Sequence, residues 1–158
     1  MRSVRRGVFV LTLGVALAFG SASTPETPEY VTAVRLDGMV DDGMAVLAAR
    51  AIREVGDSKA IIFIVDTPGG LVDSAINITD MILAAPCKTI AYVQGMGATS
   101  AGAMISYACD EIVMAPGATM GTAQPVTPSA EGMQPLGEKE TSFVRAKFAA
   151  LAEQKGRN

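Results

Sequence analysis

Apolar and polar positions along this chain alternate between two kinds of stretch. Tyr30-Val-Thr-Ala-Val-Arg-Leu36 is strand-like, and Asp37-Gly38 follows as a turn. Asp41 and Asp42 are capping residues for a helix running to about Val55, in which Met44, Leu47, Ala48 and Ala51 recur at helical spacing. Gly56-Asp57-Ser58 stops it. Ala60-Ile-Ile-Phe-Ile-Val65 is a continuous apolar run of strand length, which predicts a strand buried on both faces. The turn Asp66-Thr-Pro-Gly-Gly70 leads into a second helix over 71–85, with Ala75, Ile76, Ile78, Met81 and Ile82 inward and Pro86 at its end. A third strand is predicted over 88–94, a third helix over 103–108 and a fourth strand over 111–115. This alternation predicts an α/β fold, a parallel sheet with right-handed β-α crossovers.

Ligands of such sheets bind beyond the carboxyl ends of the strands. Two glycine-rich turns fall at that edge, Thr67-Pro68-Gly69-Gly70 and Gly95 to Gly102. Each leads into a helix and so offers backbone N–H groups at a positive helix end. Ser100 lies where the third strand turns into its helix. A serine there serves either as an N-cap or as a nucleophile exposed beside backbone donors, and the stretch alone supports both. Together the two turns suit the cradling of an oxyanion, although glycines also serve simply to make tight turns. Neither turn is a phosphate-binding loop, since no Gly-Lys-Ser/Thr follows Gly70.

The chain's 158 residues suffice for one domain with a substantial core. The formal charge of −3 gives no electrostatic support for nucleic-acid binding. The absence of histidine excludes Ser-His-Asp and Cys-His catalysis and any His-ligated metal site. No cofactor or metal is expected. The first segment reads as a cleaved secretory signal over 1–22, with an uncleaved anchor as the alternative: it has basic Arg2, Arg5 and Arg6, an apolar core from Val8 to Phe19, and small residues at Gly20-Ser-Ala22. Residues 23–29, with two prolines, form a linker, and the protein is expected to be exported, periplasmic or membrane-associated. Cys87 and Cys109 are both placed at the amino edge of the sheet, where an exported protein can bridge them or keep two small buried thiols.

Asp66-Thr-Pro-Gly-Gly70, Ser100-Ala-Gly102, Cys109-Asp110-Glu-Ile-Val-Met-Ala-Pro116 and Gly117-Ala-Thr-Met-Gly-Thr-Ala-Gln-Pro-Val126 resemble, as an ordered set, the NfeD-type membrane-bound serine proteases. These are relatives of the Clp protease proteolytic subunit and of signal peptide peptidase A, with the Clp/crotonase fold. The resemblance covers 30–158. It implies that Ser100 is the nucleophile and that backbone N–H groups of Gly69 or Gly70, and of Ala101, form the oxyanion hole. It also implies a lysine base. Counting back from the tail Leu151-Ala-Glu-Gln-Lys-Gly-Arg-Asn158, that lysine is Lys139, which shares a helical stripe with Phe143, Ala146 and Ala150. Such a stripe can shield an amine and favour its neutral form. Lys147 is the alternative base, and a solvated surface lysine is the alternative reading of Lys139.

The family continues past Gly156-Arg157-Asn158, so the C-terminal part of the domain is read as missing and the domain as truncated. The resemblance implies polypeptide substrates with apolar segments, such as those of a stomatin-like membrane protein. The small, apolar surroundings expected at Met96, Ala98, Met104, Met120 and Gly121 suit them. It also implies a homo-oligomer, at least a dimer. A signal-peptide-peptidase-like enzyme and a non-catalytic binding or assembly module are the competing readings.

Overall fold

A computed structural model describes residues 30–129 and 132–157; the predicted signal and linker lie outside the described residues. Four parallel strands lie in the order β1 (Thr32–Asp37), β2 (Ala60–Thr67), β3 (Lys88–Thr99), β4 (Glu111–Met114). Helices α1 (Asp42–Arg53), α2 (Val72–Leu83) and α3 (Ala101–Ala108) connect them. This is the parallel α/β arrangement that the alternating pattern predicts. Asp41 caps α1, its carboxylate accepting from the Met44 N–H at 2.9 Å, so the polar pair ahead of the apolar period does fix that helix start.

Burial corrects one expectation. Along β2, fully buried Ile61, Phe63, Val65 and Thr67 alternate with partly buried Ile62, Ile64 and Asp66. The helices cover the first set. The register Ile62 to Ile90 and Ile64 to Tyr92 places the second set on the other, half-open face, with Val113 of β4 46% exposed beside Tyr92. The run is continuous because that face is apolar too. The core between sheet and helices is built from Leu36, Phe63, Val65, Ile78, Ile82, Val93 and Ile105. Each such side chain contributes about 1.5–3 kcal/mol by leaving water.

The third strand is longer than its pattern suggests. It passes through Gly95 and Gly97 to Thr99, and the pairing slips from Val65 opposite Val93 to Thr67 opposite Ala98. Glycine inside a strand permits this kind of irregularity, which composition alone presents as a loop. Beyond the slip, Ala98 and Thr99 pair with the short β5 (Met120–Gly121).

After β5 the chain leaves the core. β6 (Val126–Ser129) and β7 (Gly132–Pro135) pair with each other as an antiparallel hairpin that the sequence pattern does not announce. α4 (Glu138–Gln154) then returns across α3, burying only Val144 and Leu151 fully. Its far end is latched. Lys155 Nζ donates to Asp110 at 2.6 Å, and the Arg157 guanidinium donates to the carbonyls of Tyr107, Cys109 and Asp110 at 2.6, 2.7 and 3.1 Å. The Arg157 bonds satisfy carbonyls at and just beyond the end of α3 that have no helical partners.

Candidate active site

Only Ser100 separates β3 from α3, so strand becomes helix within a single residue. That demands φ +53° and ψ −113° at Ser100, a conformation that side chains with a Cβ seldom adopt. Its N–H donates to the Gly121 carbonyl at 2.7 Å, and its own carbonyl accepts from the Ala103 and Met104 N–H groups. Ser100 stands at the N-cap position, yet its hydroxyl makes no capping bond. The side chain is therefore free at the positive end of a helix.

The Pro-Gly-Gly turn packs against this elbow. Gly69 has φ +106°, and a Cβ there would sit 2.7 Å from Ser100 Cβ and 3.3 Å from Ser100 Oγ. Only glycine lets the turn come so close. Gly70 leaves no room for a side chain either, because it is bridged to the Val40 backbone: Val40 N–H donates to the Gly69 carbonyl at 2.9 Å and Leu71 N–H to the Val40 carbonyl at 2.8 Å. Fully buried Thr67 holds the turn from below. Its hydroxyl donates to the Gly38 carbonyl and accepts from the Gly69 N–H at 3.0 Å. The Gly69 N–H is thus engaged. The N–H groups of Gly70 and Ala101 have no such partner among the described residues. Sequence reading gave Thr67 no role, and its place in Thr-Pro-Gly-Gly was the available signal.

In front of Ser100 is a space of about 20 Å³ lined by Val72, Ala75, Met104, Ala123, Pro125, Val144 and Phe148. That is room for about one water molecule. Ala123, Pro125, Val144 and Phe148 also wall a groove of about 480 Å³ that reaches Gln124, Thr141 and Arg145. Of the residues predicted to meet substrate, Met104 lines the space beside Ser100. Gly121 holds the Ser100 backbone. Met120 is partly buried next to it, and Met96 is 67% exposed and lines neither cavity. Ala98 is fully buried in the core and presents no surface. The walls supplied by Ala123, Pro125, Val144 and Phe148 escaped the sequence reading. The spacing of Val144, Phe148 and Leu151 at i, i+4, i+7 was the signal for the last of these.

The three lysines after Ser100 are placed differently. Lys139 lies in the first turn of α4, exposed, and is not among the residues around the Ser100 space. Phe143, Ala146 and Ala150, the stripe expected to shield it, face solvent, with Phe143 55% exposed. The helix buries its opposite side, where the side chains are bulkier. Lys147 pairs with Asp80 of α2 at 2.8 Å, and Lys155 belongs to the latch. Among carboxylates, Asp66 accepts from the Met96 N–H at 2.9 Å and braces the Gly95 turn. Asp110 sits at the amino end of β3, accepting from the Thr89 N–H and hydroxyl at 2.8 and 3.0 Å. Burial opposes its ionisation, but the bonds from Lys155 and Thr89 prevail and hold its carboxyl below the usual carboxylate range. Both cysteines are free thiols. Burial, and then the neighbouring Asp110 charge, push the Cys109 thiol up to about 12.

This geometry has known counterparts. The profile of the NfeD1b N-terminal domain matches residues 30–158. The chain belongs to that family. It is 39% identical over 125 residues to membrane protein NfeD1b of Bacillus subtilis, covering 77% of this chain and 27% of that protein. It is 34% identical over 111 residues to the membrane-bound protease PH1510 of Pyrococcus horikoshii, covering 68% of this chain and 25% of that one. The matched region thus spans about a quarter of these relatives. Two solved structures of the 1510-N membrane-bound stomatin-specific protease superpose well. A serine-to-alanine variant gives a TM-score of 0.78 at 29% identity, covering 84% of this chain and 67% of that one. A lysine-to-alanine variant in complex with a substrate peptide gives 0.77 at 31%, covering 82% and 62%. Of these relatives, PH1510 and its 1510-N domain are named membrane-bound proteases, and NfeD1b is named a membrane protein. Among the described residues no helix is long and apolar enough to cross one.

Proposed function

We propose that this domain is a serine endopeptidase acting by a Ser100/Lys139 dyad without a cofactor. The observation that carries the reading is the Ser100 elbow: a strained serine at a helix N-terminus, its hydroxyl uncommitted, flanked by the unengaged N–H groups of Gly70 and Ala101. In the reaction, Ser100 Oγ attacks the scissile carbonyl and passes its proton to the neutral amine of Lys139. The Gly70 and Ala101 N–H groups receive the developing oxyanion. The protonated lysine then donates to the leaving amine, and water repeats the sequence on the acyl-enzyme.

Lys139 is exposed in the first turn of α4, so the mechanism requires that end of the helix, away from the latch, to move towards Ser100. Substrates on this reading are polypeptides with apolar segments, from a membrane protein of stomatin type. The 1510-N relatives are named for a stomatin homologue, and the groove beside Ser100 is walled by alanine, proline, valine and phenylalanine. We place the protein outside the cytoplasm, cleaved of its first 22 residues and self-associated at least as a dimer. The half-open apolar sheet face supports that association.

A fluorescent serine-reactive phosphonate tests the reading. Labelling that is lost in Ser100→Ala supports it, and an unlabelled wild-type protein refutes it. The exposure of Lys139, outside the lining of the Ser100 space, favours one alternative, a binding module that keeps the groove without turnover. That module would bind peptide yet leave the probe unreacted.

A further inference from the structure

The wall between the Ser100 space and the larger groove is Phe148 with Val144. What fixes that wall lies on its far side. The Phe148 ring meets the Tyr107 ring edge-on, with centroids 5.5 Å apart and planes at 75°. Tyr107 is held in turn by Arg157, whose guanidinium lies 5.8 Å from the Tyr107 ring centroid and donates to the Tyr107 carbonyl at 2.6 Å. The same guanidinium reaches the carbonyls of Cys109 and Asp110. One planar fork thus fixes the end of α3, and through an aromatic contact fixes the side chain that walls the nucleophile. The parallel latch, Lys155 to Asp110, also ties down α4 but does not touch Tyr107.

We infer that Arg157 and Tyr107 are positioning residues that set substrate side-chain size at Ser100, by holding Phe148 against a space that admits one small group. The inference rests on the reading of Ser100 as the nucleophile beside a peptide groove. With the wall held, the residue nearest Ser100 must be small and apolar, such as alanine. A leucine or phenylalanine there displaces Phe148 and loses the edge-on contact. Lysine cannot replace Arg157, because a single ammonium does not reproduce a fork bonded to three carbonyls while lying over a ring.

The test uses Ser100→Ala protein, so that binding is read without turnover. Labelled peptides that differ only in alanine against phenylalanine at the residue facing Ser100 are titrated by fluorescence anisotropy. The alanine peptide is expected to bind about tenfold more tightly, a difference of about 1.4 kcal/mol. Adding Arg157→Lys, or separately Tyr107→Leu, should reduce that preference to about twofold or less. Adding Lys155→Gln should leave it intact while lowering thermal stability. A preference that survives both Arg157→Lys and Tyr107→Leu overturns the inference. So does an equal collapse in Lys155→Gln, which would mean that any loosening of α4 suffices, and so does the absence of a size preference in the starting protein. The phosphonate experiment separates this outcome from failure of the protease reading: a labelled Ser100 with no change in size preference sinks only the positioning role.

Discussion

The nucleophile and its candidate base belong to two differently built parts of the molecule. Ser100 stands on the sheet-and-helix core, where the Gly121 carbonyl, the close approach of Gly69 and the Thr67 hydroxyl fix the elbow. Lys139 stands on the excursion from Thr122 to Arg157, a hairpin that pairs only with itself and a helix that buries two side chains completely. The first part is preorganised, as an oxyanion site must be. The second is held at its ends, by β5 on one side and the Lys155/Arg157 latch on the other. A dyad split in this way can keep its nucleophile poised while the base moves.

The sharpest way to break the comparison is to remove each half of the dyad. Ser100→Ala and Lys139→Ala should each abolish peptidase activity on a quenched apolar peptide, with melting temperatures unchanged because the first removes only a hydroxyl that caps nothing and the second an exposed side chain. Lys147→Ala should retain activity and lose only its exposed pair with Asp80. If the losses appear in Lys147→Ala instead, the base has been assigned to the wrong lysine. Stability should divide along the same line. Phe63→Ala in the core should cost about 3–5 kcal/mol in urea unfolding, and Phe143→Ala on the exposed stripe of α4 less than about 0.5 kcal/mol. Equal costs would mean that α4 is as firmly embedded as the core.

Acid should separate the two parts more gently. The Asp110 carboxyl titrates below its ordinary value, so its contribution to stability is present above the unfolded value and is lost as pH falls through the lower folded value. Below about pH 4 the latch should therefore loosen, and hydrogen exchange at 138–154 should accelerate before exchange in β2. Asp110→Asn should show the fast exchange already at neutral pH. The smallest effect is at Cys109. Its folded value of about 12 lies above the unfolded one, so it stays a neutral thiol in mild alkali. Stability is lost as pH rises from the ordinary thiol range towards the folded value. At pH 8 iodoacetamide should modify half-buried Cys87 and spare Cys109 until the protein unfolds.

Much of the core was legible because its period is strong. Met44 and Ala48, like Ile78 and Ile82, recur at helical spacing, and 60–65 is apolar over the length of an inner strand. Ser100 was legible because an apolar strand and an apolar helix meet there with mostly small residues, Gly95, Gly97, Ala98, Ala101 and Gly102, between. The continuation of β3 through Gly95 and Gly97 was not legible, because glycine weakens every local signal and the pairing with Met120 is non-local. The same holds for the hairpin from Val126 to Pro135, whose prolines argue against strand. In α4 two stripes competed. Attention to Lys139 selected Phe143, Ala146 and Ala150, whereas burial follows the bulkier Val144, Phe148 and Leu151. The engagement of the Gly69 N–H by Thr67 is a matter of geometry that no spacing rule contains.

Thr122 has a φ of +52°, the second left-handed residue other than glycine among the described residues, and it follows the carbonyl that holds Ser100. A β-branched residue there carries about 1–3 kcal/mol of strain, and it is exposed. An engineer ranking substitutions by thermostability would choose Thr122→Gly early, expecting a gain of about 1 kcal/mol after the entropy of the freer chain is subtracted. The same exchange would slacken the peptide that carries the Gly121 carbonyl and, through its bond, the elbow. A melting curve would register an improvement, while peptidase turnover would register a nucleophile that spends less of its time in place.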